Sequence, residues 1–136
     1  ESLHSNKQFS PSSRYNLTNL FRSMFALELE NRLKKTSISV AVAHPGVTKS
    51  RQSRPYEVKK FKKSFYTYFS TNIQTGIAPI IQAIEEDNVS AERVYAPKFF
   101  GFYGQPATMQ HNKLVYNEEL RNKLWTFTAN ELNLDL

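Results

Sequence analysis

The chain has 136 residues, 40% hydrophobic and 13% aromatic, with a formal net charge of +6. That is one domain's worth of chain with apolar material for a modest core, and a mean hydropathy of -0.54 with no long apolar run excludes a membrane-spanning helix. The absence of cysteine excludes disulfides, thiolate metal sites and cysteine nucleophiles, and makes a cytoplasmic setting the expectation.

The charge is local. Between Lys49 and Lys63 stand Lys49, Arg51, Arg54, Lys59, Lys60, Lys62 and Lys63 against Glu57 alone, so this stretch carries the equivalent of the whole net charge. The chain opens on Glu1 rather than Met, and no leader pattern follows, which suggests a trimmed product or part of something longer.

In chain order, residues 1–14 are polar and Ser-rich and read as a loop, with Ser12 or Ser13 expected as the cap of a following helix. From Tyr15 to Lys34, Leu17, Leu20, Phe21, Met24 and Phe25 recur at helical spacing, and Ala26, Leu29 and Leu33 widen the stripe. More than one face is therefore expected to be buried, against a sheet on one side and a helix on the other. Ser37–Ala43 alternates Ile38, Val40 and Val42 with small residues, as a central parallel strand covered on both faces would, and His44-Pro45-Gly46 ends it.

Across the basic stretch, Val58, Phe61, Phe65, Tyr68 and Phe69 follow a helical period. A further helix is expected over Asn72–Glu86, carrying Ile73, Ile77, Ile80, Ile81 and Ile84, with Pro79 imposing a kink or a later start. Glu92–Ala96 is a short strand candidate and Phe99–Gly104 a Gly-broken loop. Asn117–Leu132 closes the chain as a helix facing inward through Leu120, Leu124, Phe127 and also Trp125.

This order predicts an α/β chain, helix-strand-helix-helix-strand-helix. Two strands are too few for a sound sheet, and a helix and a strand each apolar on two faces need cover. Residues 1–136 thus read as a single partial domain, completed by an amino-terminal half or a partner.

At Tyr15 and the His-Pro-Gly turn, the chain resembles the short-chain dehydrogenase/reductase family, in the branch similar to retinol dehydrogenases. The resemblance rests on Phe9-Ser10-Pro11, Tyr15, Leu20, Phe25-Ala26, Glu28-Leu29, Arg32-Leu33 and His44-Pro45-Gly46-Val47 in register without a gap. VYAPKFFGFYGQP and EELRNKLW extend it over nearly the whole chain. It implies the carboxyl-terminal, substrate-side portion of a doubly wound parallel-sheet (Rossmann-like) domain. The implied chemistry is hydride transfer between NADP or NAD and a hydrophobic alcohol, aldehyde or ketone.

In that family the tyrosine is the acid/base, and a lysine one helical turn on stabilises the tyrosinate and holds the ribose. Tyr15 stands at the first position and Asn19 at the second; the amide can hydrogen-bond a ribose hydroxyl but supplies no charge. Pro45, Gly46 and Val47 match the turn that lines the nicotinamide, and Ser50 stands where a threonine contacts the cofactor. The family's serine is expected upstream of Glu1, leaving Ser2 and Ser5 as loop serines. The glycine-rich phosphate loop has no counterpart, so the chain alone is not expected to bind a dinucleotide or to be active.

The resemblance also makes a homo-oligomer plausible, although a missing half of the same subunit would cover the same faces. His44 reads as a packed histidine, and the spacing of His4, His44 and His111 offers no metal site. The competing reading is a non-catalytic binding module using the basic-aromatic segment 49–69. A solvated cationic helix face is favoured for that segment over a membrane surface, and nucleic acid is not expected as a partner.

Overall fold

The computed structural model describes residues 10–48 and 71–134. Ser2, Ser5, Ser50 and the expected Val58–Phe69 helix lie outside them. Helix α1, Pro11–Leu33, begins earlier than its apolar period suggests. The cap is Ser10, whose Oγ accepts the Ser13 N–H at 3.4 Å, rather than Ser12 or Ser13. The cause is Pro11: its preset φ and missing N–H suit the first helical position, so the helix starts at it and the cap falls on the residue before.

Strand β1 is only Val42–Ala43 and pairs in parallel with β2, Arg93–Phe99, through Val42↔Val94 and Ala43↔Tyr95. β2 turns back antiparallel into β3, Tyr103–Gln110, giving a three-stranded sheet of order β1-β2-β3. Two expectations are corrected here. Ser37–Ala43 lies at an edge of the described sheet, with Ser37–Ser39 exposed, because β2 alone is present to continue its ladder. The expected loop Phe99–Gly104 shrinks to Phe100–Phe102, and the third strand escapes a propensity reading because Gly104 and Pro106 interrupt it. Pro97 and Pro106 are register partners, so the two missing N–H groups fall on one rung, beside an irregularity between Pro97 and Phe99.

Between β1 and β2 the expected single helix is two. Helix α2, Ile73–Gly76, is capped by Asn72, and helix α3, Ala78–Glu85, starts at Ile77 with Pro79 in its first turn. The later start follows from the proline. Their inward residues are Gly76, Pro79 and Ala83, whereas Ile73, Ile77, Ile80, Ile81 and Ile84 are exposed among the described residues. A 3₁₀ turn, Lys113–Tyr116, leads into helix α4, Glu118–Leu132, capped by Asn117.

The core gathers Met24 and Leu27 of α1 with Ala91 and Val115; Leu20, Phe21, Val40, Val42 and Leu124 pack around it. α1 thus packs on α4 and the 3₁₀ turn of the same chain, with Val40 and Val42 against the core cluster that Met24 and Leu27 help to form. On α4 the buried residues are Arg121, Trp125 and Ala129, while Leu120 and Phe127 are exposed, contrary to the apolar reading. The reason is charge: Arg121 Nε lies 3.4 Å from Glu28 Oε2 with both residues buried, and its Nη1 donates to Val115 O at 3.1 Å. Glu28 also pairs with Arg32 at 3.0 Å. The Arg32 guanidinium lies 4.4 Å from the Trp125 ring centroid, and Trp125 stacks on Phe25 at 5.0 Å. A desolvated carboxylate between two guanidiniums turns the helix that carries one of them.

Glu30, half a turn further along α1, accepts the Ala91 N–H at 2.9 Å and the Ser90 hydroxyl at 3.2 Å, which ties the start of β2 to the helix. Replacing Arg121 by Leu removes one partner of a buried ion and is expected to lower the unfolding free energy by about 3 kcal/mol. A Glu28→Leu, Arg121→Leu double variant should lose less, since no buried charge is then stranded. Urea unfolding followed by the fluorescence of Trp125, the single tryptophan, checks both.

Candidate functional site

The turn after β1 sits at the carboxyl end of a parallel strand, where ligands bind in open α/β sheets. His44 N–H donates to Tyr95 O at 2.7 Å, extending the ladder by one rung. Pro45 then bends the chain, and Gly46 takes φ +73°, a left-handed conformation that glycine adopts without penalty. The Gly46 N–H donates to His44 Nδ1 at 2.9 Å, which requires that nitrogen to be unprotonated.

Three neighbours hold the turn. Val47 N–H donates to Phe102 O at 3.0 Å, at the tip of the β2–β3 hairpin. Val47 O accepts the Thr71 N–H at 2.8 Å, and Thr48 and Thr71 form an isolated parallel bridge. Gly76 of α2 lies against the turn so closely that a β-carbon there would collide with the Thr48 side chain and come 3.3 Å from Pro45 O. Sequence reasoning missed Phe102, Thr71 and Gly76. Gly76 alone left a signal, as an isolated glycine within a helical pattern; the other two act through backbone groups, which carry none.

Tyr15 and Asn19 lie one helical turn apart on one face of α1. Tyr15 is 60% exposed and Asn19 half-buried, and neither side chain has a hydrogen bond or ring contact to another described residue. The described contacts of Pro45, Gly46 and Val47 run to the hairpin, Thr71 and α2. The pair on α1 and the turn are thus two separate elements of the described structure, and Ser50 lies outside it. Among the described residues Tyr95 is the buried tyrosine: burial, and then the Glu86 carboxylate, push its phenol above the ordinary value near 10, so it stays a neutral core residue.

A shallow groove of about 450 Å³ lies elsewhere, between α3 and β3, lined by Ala78, Ile81, Gln82, Glu85, Glu86 and Pro106. It holds none of the candidate residues. Among the described residues no group of His, Asp and Glu could hold a metal ion, and no helix is long and apolar enough to cross a membrane.

No family model, curated protein or solved structure matches the chain. The class its own geometry defines is α/β, with one parallel strand pair, a β-hairpin and helices packed on them.

The turn is open to two tests. In Gly46→Ala the new β-carbon would lie 2.5 Å from Phe102 O and 2.8 Å from Pro97 Cγ in a left-handed backbone. A loss of more than about 1 kcal/mol in urea unfolding is expected. His44 is held below its ordinary value of 6.5 by partial burial. Between the lowered folded value and 6.5 the unfolded chain binds more protons, so its contribution is complete above 6.5 and is lost as pH falls through the folded value. His44→Asn keeps an acceptor for the Gly46 N–H and does not titrate. Its unfolding midpoint should fall less between neutral and mildly acidic pH than that of the parent chain.

Proposed function

We propose that the chain is the substrate-side part of an NAD- or NADP-dependent oxidoreductase of the short-chain dehydrogenase/reductase type. The reaction would move hydride between a nicotinamide and a hydrophobic alcohol, aldehyde or ketone. The observation that carries this reading is the Pro45-Gly46-Val47 turn. It ends a strand parallel to β2 and is held by backbone bonds, with its left-handed glycine packed against Phe102 O and Pro97. A turn held in this way at the carboxyl end of a parallel strand stands where ligands sit in open α/β sheets.

In this reading the rest of a doubly wound sheet adds to the open edge of β1 and brings the phosphate-binding loop. Tyr15 carries the proton to or from the substrate oxygen, and Asn19 holds a ribose hydroxyl. Ser50 supplies a hydroxyl to the cofactor. Asn19 cannot stabilise a tyrosinate as a lysine would, because an amide carries no charge. That substitution also supports a non-catalytic reading of the same fold, as a binding module.

The full-length gene product, assayed for NADPH- or NADH-dependent reduction of lipophilic aldehydes and ketones, decides between them. Slow turnover is expected, rising in Asn19→Lys by a factor on the order of a hundred, the range of a positioned acid/base contribution. Tyr15→Phe should abolish it. Absence of turnover in both the natural protein and Asn19→Lys excludes the enzymatic reading.

A further inference from the structure

The Pro45-Gly46-Val47 turn is gripped from two sides, and a glycine stands at each grip. On the hairpin side Val47 N–H bonds to Phe102 O, and Gly46 packs on that carbonyl and on Pro97 without space for a β-carbon. On the other side stands Gly76, the buried last residue of α2. Its φ is not positive, so backbone freedom is not what calls for a glycine there. Space is the reason. A β-carbon at 76 would collide with Thr48 Cγ2, whereas its next neighbours, Pro45 O at 3.3 Å and Thr48 Cβ at 3.5 Å, need give little or nothing.

The helix cannot withdraw from this contact. α2 has only four residues, and its start is tied to the same turn: Thr71 N–H donates to Val47 O at 2.8 Å, and Thr48 and Thr71 form the parallel bridge. Asn72 then caps the helix, its Oδ1 accepting the Thr75 N–H at 2.7 Å and its carbonyl the Gly76 N–H at 3.0 Å. Gly76 therefore returns against Thr48 at a distance set by the helix itself. A side chain at 76 is accommodated at the expense of Thr48 and Pro45, not of α2.

We propose that Gly76 is a positioning residue for the turn: its missing β-carbon is the seat of the Thr48 methyl, and this contact sets where the Pro45-Gly46 peptide stands at the carboxyl end of β1. The consequence for the reaction rests on the oxidoreductase reading and falls on cofactor binding. The described contacts of the turn run to the hairpin, Thr71 and α2, and Tyr15 lies on α1. Displacing the turn thus weakens the hold on the nicotinamide and leaves the proton transfer in place.

The test is a cycle on the intact chain of Gly76→Ala, Thr48→Ser, which removes the colliding methyl and keeps the hydroxyl, and the two together. In amide NMR spectra, Gly76→Ala should move the Gly46 and Val47 resonances while the Trp125 indole stays in place. The double variant should return them to their positions in Thr48→Ser. The thermal midpoint should fall by about 5 °C in Gly76→Ala and recover most of that loss in the double variant. If Gly76→Ala alone does not fold, recovery of a folded double variant is the same result. In the full-length gene product, Gly76→Ala should raise the KM for NADPH or NADH about tenfold, as the loss of one hydrogen bond at the turn requires, with kcat kept. A purely structural role would instead lower kcat through loss of folded protein and leave KM unchanged. Unmoved Gly46 and Val47 amides in Gly76→Ala overturn the proposal, as does a double variant no better than Gly76→Ala or a fall in kcat without a rise in KM. Absence of turnover in the natural protein and in Asn19→Lys removes the reaction alone; the spectra and midpoints still decide the seat.

Discussion

The buried carboxylate of Glu28 is the constraint from which the helical layer follows. Once α1 packs through Met24 and Leu27 against Ala91 and Val115, Glu28 is carried out of water on the same turn of helix. A desolvated carboxylate must find a cation and hydrogen-bond donors or lose its charge. Arg121 meets that need from α4, and its other nitrogen satisfies the Val115 carbonyl of the 3₁₀ turn that introduces the helix. The rotation of α4 follows: with Arg121 inward, Trp125 and Ala129 are inward too, at intervals of four residues. The stack of Trp125 on Phe25, under the Arg32 guanidinium, completes the contact.

A second dependence runs through the sheet. Glu30 fastens the start of β2 to α1, and β2 in turn carries both β1 and the hairpin. The turn at Pro45–Val47 is placed by later segments of the chain rather than by β1, which is only two residues long. Phe102, Thr71 and Gly76 each press on it from a different element. A short strand can thus present a well-held turn, because the restraint comes from backbone bonds and close packing further along the chain.

Much of the fold is legible in the residues alone. The long first helix, the Asn117–Leu132 helix and the break at Pro79 follow from period, caps and proline chemistry, all local properties. The third strand is not legible, since Gly104 and Pro106 argue against a strand unless a partner supplies the register. The isoleucines of α2 and α3 mislead for a related reason. Helical spacing marks them as one stripe, but the face that packs inward uses the smaller Gly76, Pro79 and Ala83, where the helix lies close to the turn and the sheet.

For the candidate site the division is sharper. Residue identity by itself determined that the Tyr15 position is followed one turn later by an uncharged Asn19, that a Pro-Gly turn ends an apolar strand, and that the positive charge is concentrated in one stretch. These are properties of residue type and spacing, which a linear text contains. Only the tertiary structure decided that Phe102 and Thr71 flank the turn, that Arg121 rather than Leu120 faces the core, and that Phe100 stands exposed in a left-handed turn. Those relations depend on backbone groups and on partners distant in sequence, and no local pattern of side chains encodes them.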